Sequence, residues 1–243
     1  MKKICTICAR GGSQGVKNKN IIPLCGKPLI AHTILQAKET GLFDVIAVSS
    51  DSKTIRDVAL EWGADEVIER PAELATSTAG KLPVIQHAVT EIEQRKNTQF
   101  DVAVDLDATS PLRTVDDILQ SVTLLMQSAD ATNLITGCHA RRSPYFNLVE
   151  RNKNGYVSLS KKTEVAVVRR QDAPICFDLN ASIYVWKRNA LFDYNAVILE
   201  HTLLFEMPEE RSIDIDTPLD LKIVRMLAKN RQDLNGCRTI KTY

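Results

Sequence analysis

The residues of this 243-residue chain whose types and spacing point to chemistry are one basic, glycine-rich stretch and two pairs of aspartates. The stretch is Ala9-Arg10-Gly11-Gly12-Ser13-Gln14-Gly15-Val16-Lys17-Asn18-Lys19-Asn20. Gly11, Gly12 and Gly15 let a backbone turn tightly and come close to a ligand. Successive amide N–H groups in such a turn form an anion-binding concavity, to which Arg10, Lys17 and Lys19 add full positive charge. The combination suits a triphosphate. Neither the Walker pattern nor the GxGxxG dinucleotide fingerprint is present. A strand-to-helix turn with a basic rim is the plainer alternative for the stretch taken alone.

The first aspartate pair lies in Ser212-Ile213-Asp214-Ile215-Asp216-Thr217. On a strand over 212–215, residues two apart share a face, so Asp214 and Asp216 present two carboxylates side by side. Unpaired, they raise each other's pKa. A divalent ion removes that cost, and Mg2+ typically takes one or two carboxylates together with phosphate oxygens and water. Two solvated acids at a strand end are the alternative. The second pair opens Asp105-Leu106-Asp107-Ala108-Thr109-Ser110-Pro111-Leu112-Arg113, where Thr109 and Ser110 offer hydroxyls and Arg113 a fork for carboxylate or phosphate. A further loop begins Arg70-Pro71-Ala72-Glu73-Leu74-Ala75 and runs through Thr76, Ser77 and Thr78 to Lys81. Lys81 falls at a helix N-terminus, which disfavours a cation unless an anion is near.

These groups need a scaffold that brings distant segments to one rim. Apolar runs predict buried strands over 4–9, 44–50, 67–68, 101–106 and 133–138. Helical patterns alternate with them over 28–40, opened by Pro28, and over 52–62, 81–95 and 114–128. Asp51 or Ser52 is the expected cap of the second helix and Gly63 its end; Thr114 is the expected cap of the fourth. This rhythm predicts an α/β fold, a mainly parallel sheet covered on both faces, with ligands outside the carboxyl ends of the strands. From 139 to about 179 the chain turns polar and carries Pro144, Gly155 and Pro174. Short β-like pieces at 156–159 and 165–168 predict an antiparallel excursion. Order returns at 181–186, a helix follows at 218–229, and 232–243 reads as a loosely held tail.

Composition narrows the classes. A hydrophobic fraction of 44% supplies a full core. A net charge of +1 argues against a bulk electrostatic grip on nucleic acid. No apolar run reaches the roughly 18 residues of a membrane span. The apolar stretch after Met1-Lys2-Lys3 breaks at Arg10, too early for a signal peptide, so the cytoplasm is the expected compartment. Six cysteines are scattered, and Cys5-x-x-Cys8 lies in a strand that sends residues three apart to opposite faces. Reduced structural thiols are expected.

In order along the chain, Ala9 to Ser13 with Lys19 and Asn20, the Arg70 loop, Thr109 to Arg113, and Ser212 to Thr217 together resemble the cytidylyltransferases that make CMP-activated nonulosonic acids. These are the CMP-sialic acid synthetases and their CMP-legionaminic acid relatives. The resemblance implies a three-layer αβα, Rossmann-like nucleotidyltransferase domain over 1–231. It implies that 138–180 is an inserted dimerisation element completing the site, in a homodimer with shared active sites. It implies CTP and an acidic nine-carbon sugar as substrates, Mg2+ or Mn2+ as cofactor, and a place in cell-surface glycan synthesis. Ala9, Arg10, Gly11, Gly12, Ser13, Lys19 and Asn20 would hold the nucleotide and its phosphates. Arg70, Thr78 and Lys81 would contact cytosine and ribose, and Asp107, Thr109, Ser110 and Asn180 would border the sugar. Arg170 matches an arginine that reaches the neighbouring subunit's site. Arg10, Lys19, Asp214 and Asp216 would carry the catalysis, the two aspartates through the metal.

The chain also departs from the sialic acid pattern. It has Asp107-Ala108 in place of Gln-Pro, and Asp178-Leu179-Asn180 in place of Arg-Pro-Asn. Asp107 to Arg113 and Ser143-Pro144-Tyr145-Phe146-Asn147 resemble the legionaminic branch. Two alternatives stand beside this reading. One is a nucleotide-sugar glycosyltransferase, since Asp105-Leu106-Asp107 resembles a DxD metal motif. The other is a non-catalytic CTP-binding module.

Overall fold

The first apolar run becomes β1 (Lys3–Cys8) in the computed structural model, which describes residues 1–13, 15–163, 167 and 169–235. After it come a small hairpin of β2 (Pro23–Leu24) and β3 (Lys27–Pro28), then α1 (Leu29–Thr40), β4 (Val45–Ser50), α2 (Lys53–Glu61) and β5 (Glu66–Glu69). The chain continues through α3 (Lys81–Lys96), β6 (Val102–Leu106), α4 (Val115–Gln127) and β7 (Asn133–His139). A second hairpin, β8 (Val149–Arg151) and β9 (Val157–Leu159), precedes the long β10 (Phe177–Lys187). The last elements are α5 (Arg188–Asp193), β11 (Thr202–Glu206), α6 (Pro218–Ala228) and α7 (Gln232–Asn235).

Seven strands form one sheet in the order β11-β7-β10-β6-β1-β4-β5. All pair in parallel except β10, which lies antiparallel between β6 and β7. On one face Cys5 and Ile7 of β1 pack with Ile30 and Ile34 of α1, Ile55 of α2 and Ile118 and Val122 of α4. On the other, Ile4 packs with Ile85 and Val89 of α3 and Leu191 of α5. The mainly parallel, three-layer α/β architecture read from the sequence is therefore present. Cys5 and Cys8 fall on opposite faces, and the cysteines among the described residues are free thiols. Among the described residues no helix is long and apolar enough to cross a membrane.

Several expectations change. Residues 212–215 join no strand ladder; Ser212 N–H donates to the Glu209 carbonyl at 3.1 Å and Ile215 N–H to the Thr109 carbonyl at 3.0 Å. Their alternation survives because Ile213 and Ile215 pack with Leu24, Leu29, Leu112 and Val224 at the end of the sheet. Pro28 precedes α1 as its cap instead of opening it, since it pairs with Pro23 in the small hairpin. Ser52 stands at the cap of α2 without a side-chain bond, and Asp51 turns back to the glycine-rich loop. Thr114 does cap α4, in a reciprocal box with Asp117.

The expectation of a loose tail does not hold for 232–235. Leu234 of α7 is buried in the cluster around Leu112, and the Asn235 amide donates to the carbonyls of Ala228, Lys229 and Arg231. Residues 236–243, with Cys237, lie outside the described residues, as does all of the predicted piece at 165–168 except Val167.

Candidate active site

The carboxyl ends of β1 and β6, the loop after β5 and the 212–217 segment surround a cleft of about 530 Å3. The glycine-rich loop forms one wall. Its first amide, Ala9 N–H, extends the β1–β4 ladder to the Ser49 carbonyl, so Ala9 is buried and faces no ligand. Gly11 N–H donates to Asp51 Oδ1 at 2.8 Å, and Ser13 N–H to the Gly11 carbonyl at 3.0 Å. Asn20 is buried and donates from Nδ2 to the Arg10 carbonyl at 2.9 Å, which closes the base of the loop. Arg10, Ser13, Gly15, Lys19 and Asn20 line the cleft; Ala9, Gly11 and Gly12 do not. The surface offered to an anion is thus narrower than the run of glycines implied, because the Gly11 amide is already engaged. Gln14 lies outside the described residues.

Asp214 and Asp216 face this loop. Lys19 Nζ stands 2.9 Å from Asp216 Oδ1. Burial and the nearby Asp216 carboxylate push the Asp214 pKa up to about 6. The pair therefore carries more negative charge than its one lysine offsets. Among the described residues no cluster of three or more His, Cys, Asp or Glu could hold a metal. A divalent ion at these two carboxylates would have to complete its shell with phosphate oxygens and water, the arrangement Mg2+ favours. The donor set fits an ion that arrives with a nucleotide.

The opposite wall carries the second aspartate pair, and the anion that Lys81 needs at its helix N-terminus is found there. Lys81, first residue of α3, places Nζ 3.2 Å from Asp105 Oδ2, 3.0 Å from Asp107 Oδ2 and 4.4 Å above the Tyr184 ring. Burial opposes its charge, but Asp107 and Asp105 outweigh that and hold its pKa above the usual lysine range. Burial would raise the Asp107 pKa; Lys81 and the Thr109 N–H and hydroxyl instead bring it to about 2. Asp105 also accepts from the Thr6 hydroxyl at 2.8 Å. Lys81 lines the cleft, yet its charge is already compensated by two carboxylates. Asp105 and Asp107, compensated in turn, do not form the open DxD pair that a glycosyltransferase metal would need.

Other expected ligands are placed elsewhere. Ser110 is fully buried and lines no part of the cleft, whereas Thr109 does. Asn180 sits inside the β10 bulge, where its side chain accepts from Thr136 Oγ1 and Ser182 N–H and donates to Ser212 Oγ and Met207 Sδ. Arg113 is buried, its guanidinium donating to Ser182, Thr33 and the Asp107 carbonyl, and burial lowers its pKa to about 10. Arg70 lines the cleft but is buried and fixed to Ser49 by bonds of 3.2 and 2.7 Å. Thr78 is exposed and off the cleft, which Thr76, Ser77 and Ala79 line instead. Arg170 is exposed, donates to the Ala140 carbonyl at 3.1 Å and lines no part of the cleft of its own chain.

Cys8 and Val84, which were not among the expected site residues, join Leu74 of the Arg70 loop as the cleft's less polar lining. Cys8 was legible as the last residue of a buried strand, which is where sheet ligands approach. Burial and Asp105 push its thiol well up, which disfavours the thiolate. The whole arrangement can hold a polyanion between Arg10, Lys19 and a two-carboxylate cation site. Thr109 and the Lys81–Asp107 pair form a polar wall beside it.

Residues 4–240 match the family described as cytidylyltransferase. The post-translational flagellin modification protein B of Campylobacter coli is 44% identical over 94% of this chain and 95% of its own length. The CMP-N,N'-diacetyllegionaminic acid synthase of Campylobacter jejuni is 45% identical over 92% of this chain and 94% of its own. Among solved structures, CMP:2-keto-3-deoxy-manno-octonic acid synthetase complexed with CTP superposes with a TM-score of 0.66 at 17% identity, over 94% of this chain and 99% of that one. That last likeness is one of fold.

Proposed function

The chain belongs to the cytidylyltransferase family, in its CMP-nonulosonic acid synthetase branch, and on that premise we propose that it transfers CMP from CTP to the anomeric hydroxyl of a nonulosonic acid of the legionaminic type. The observation that carries this reading is the meeting of the glycine-rich loop with Asp214 and Asp216 across one cleft. The hydroxyl oxygen attacks the α-phosphorus and gives up its proton to solvent, the bond to the bridging oxygen breaks, and pyrophosphate leaves. Arg10 and Lys19 offset the charge that shifts onto the leaving group. Asp214 and Asp216 would hold Mg2+ or Mn2+, which when bound neutralises phosphate charge. Thr109 and Asp107, with Lys81 behind it, offer hydrogen-bonding groups to the sugar. The compensated Asp105–Asp107 pair speaks against a glycosyltransferase. A mere CTP-binding module would leave the Asp214–Asp216 pair without a purpose.

The 138–180 excursion supports a homodimer. Val149, Tyr156 and Val157 of its hairpin are exposed apolar side chains, and Arg170 lies outside its own chain's cleft. The free thiols suit a reducing compartment, the cytoplasm.

The test is pyrophosphate release from CTP and Mg2+ with a panel of nonulosonic acids. N,N'-diacetyllegionaminic acid should give the highest kcat/KM; no release with any acid would overturn the proposal. Asp214→Ala or Asp216→Ala should lower turnover about a hundredfold or more with the melting temperature retained, a loss typical of removed charge stabilisation. Near-normal turnover in both variants would remove the metal assignment.

A further inference from the structure

A side chain at Gly15 has no room. A Cβ built there would stand 2.0 Å from the Asp216 carbonyl oxygen and 3.2 Å from its carbonyl carbon. Both are backbone atoms, which cannot swing aside as the end of a long side chain would. The contact is one of three between the same two segments. Next along the loop, Val16 packs into the apolar cluster that holds Ile213 and Ile215, the residues flanking Asp214. Four residues beyond Gly15, Lys19 reaches Asp216 Oδ1 at 2.9 Å. The loop thus meets the acidic segment through an apolar anchor, a bare backbone contact and an ion pair. The acidic segment joins no strand ladder; at its start Ser212 bonds Glu209 and Asn180, in its middle Ile215 N–H donates to the Thr109 carbonyl, and at its end Asp216 N–H donates to Asp220 Oδ2, so the loop is the neighbour that meets the Asp216 carboxylate and carbonyl.

We propose that Gly15 is a positioning residue: the absence of its side chain lets the phosphate loop seat directly on the Asp216 peptide, which sets the Asp216 carboxylate at the distance from the loop that nucleotide and divalent ion require together. The inference deepens the metal reading of Asp214 and Asp216 and rests on it. Its physical content is a distance. The nearest comfortable separation for a Cβ is more than an ångström greater than the one present, so any side chain at 15 moves the loop and the carboxylate apart. Displacements of about 1 Å in a reacting constellation cost on the order of a hundredfold in rate. Groups that meet the nucleotide from the loop alone, Arg10 and Ser13, would keep their places.

The experiment uses the full-length Gly15→Ala protein beside wild type and Asp216→Ala. Mn2+ binding with saturating CTP is read by electron paramagnetic resonance, and kcat and KM for CTP by pyrophosphate release. Gly15→Ala should lower Mn2+ affinity about tenfold or more and kcat at least as much, while KM for CTP stays within about threefold. A folded Gly15→Ala protein with wild-type Mn2+ affinity and kcat overturns the proposal. So does one that has lost melting temperature but binds Mn2+ normally, because that marks a purely structural glycine. If Asp216→Ala loses Mn2+ and Gly15→Ala does not, this inference alone fails. If Asp216→Ala binds Mn2+ as wild type does, the metal reading fails and takes the inference with it. Should Gly15→Ala not fold, hydrogen exchange on the wild type decides. Adding CTP without metal should slow exchange in residues 212–217 together with the loop, and unchanged exchange there overturns the coupling.

Discussion

Lys81 sits where a helix dipole disfavours a cation and inside a wall that removes it from water, and two aspartates answer both costs. Asp105 is wholly buried, so it depends on Lys81 as much as Lys81 depends on it. Lys81→Met should therefore destabilise the fold by about 3 kcal/mol, as loss of one partner of a buried pair does, read as a lower urea midpoint. Adding Asp105→Asn should recover part of that loss, because the orphaned charge goes with it. Full additivity of the two substitutions would show that the residues act separately. At this scale the sequence disclosed identities more than partners. Arg10, Lys19, Asp214 and Asp216 were legible because glycines and alternation bring their charges to one rim. Ser110, Asn180 and Arg113 read as ligands because they are polar beside a motif, yet each is turned inward. The partners of Asn180 and Arg113, namely Thr136 for the first and Ser182 and Thr33 for the second, are distant in sequence, so no local pattern announces them.

At the scale of elements, what was legible is what the local period records. Strands buried on both faces, β1, β4 and β6, appear as unbroken apolar runs, and α4 announces itself through its Thr114 cap. The hairpin strand β8 is exposed and β11 only half-buried, so neither leaves a core signature. The reversed direction of β10 lies in its pairing, which no local pattern encodes. Tertiary ties between elements are likewise hidden, and one can be tested by pH. Glu93 of α3 accepts two bonds from Arg188 of α5, both 2.8 Å, and one from Phe100 N–H. Burial alone would raise its pKa, but these donors leave it below the usual 4.5. A carboxylate with a lowered folded pKa adds stability in full above its unfolded value and loses it as pH falls through the folded one. Glu93→Gln should cost about 2 kcal/mol at pH 7, the range of hydrogen bonds to charged groups. Its deficit against wild type should shrink as pH drops below 4.5 in thermal melts. A deficit that stays constant to pH 3 would mean that the charge contributes nothing. A second element-scale strain is Ala181, held at φ 51° in the β10 bulge. Ala181→Gly should raise the melting temperature slightly, since left-handed backbone costs a non-glycine residue about 1 kcal/mol.

At the scale of the whole molecule, the second hairpin leaves apolar side chains uncovered. Tyr156 and Val157 are 73% and 62% exposed on the second hairpin, and Arg170 lies off the cleft while Arg10 and Lys19 line it. A homodimer in which each hairpin arm closes over the partner's cleft accounts for both facts, because an isologous interface covers the same patch on each subunit. Tyr156→Asp with Val157→Asp should yield monomers in sedimentation with the fold intact, since neither side chain supports the core of its own chain. Turnover should fall with the dimer. The decisive measurement is complementation. In such a homodimer Arg170→Ala would remove the donated arginine and Asp216→Ala a carboxylate of the resident site, so each homodimer should be inactive. In a hybrid of the two, the site formed by the intact Asp216 and the intact Arg170 is whole, and the other site lacks both. Random pairing makes half the dimers hybrid and half the sites in each hybrid competent, so co-expression should restore about a quarter of wild-type turnover. If Arg170 served its own chain, every site in the mixture would lack one group or the other, and no activity would return.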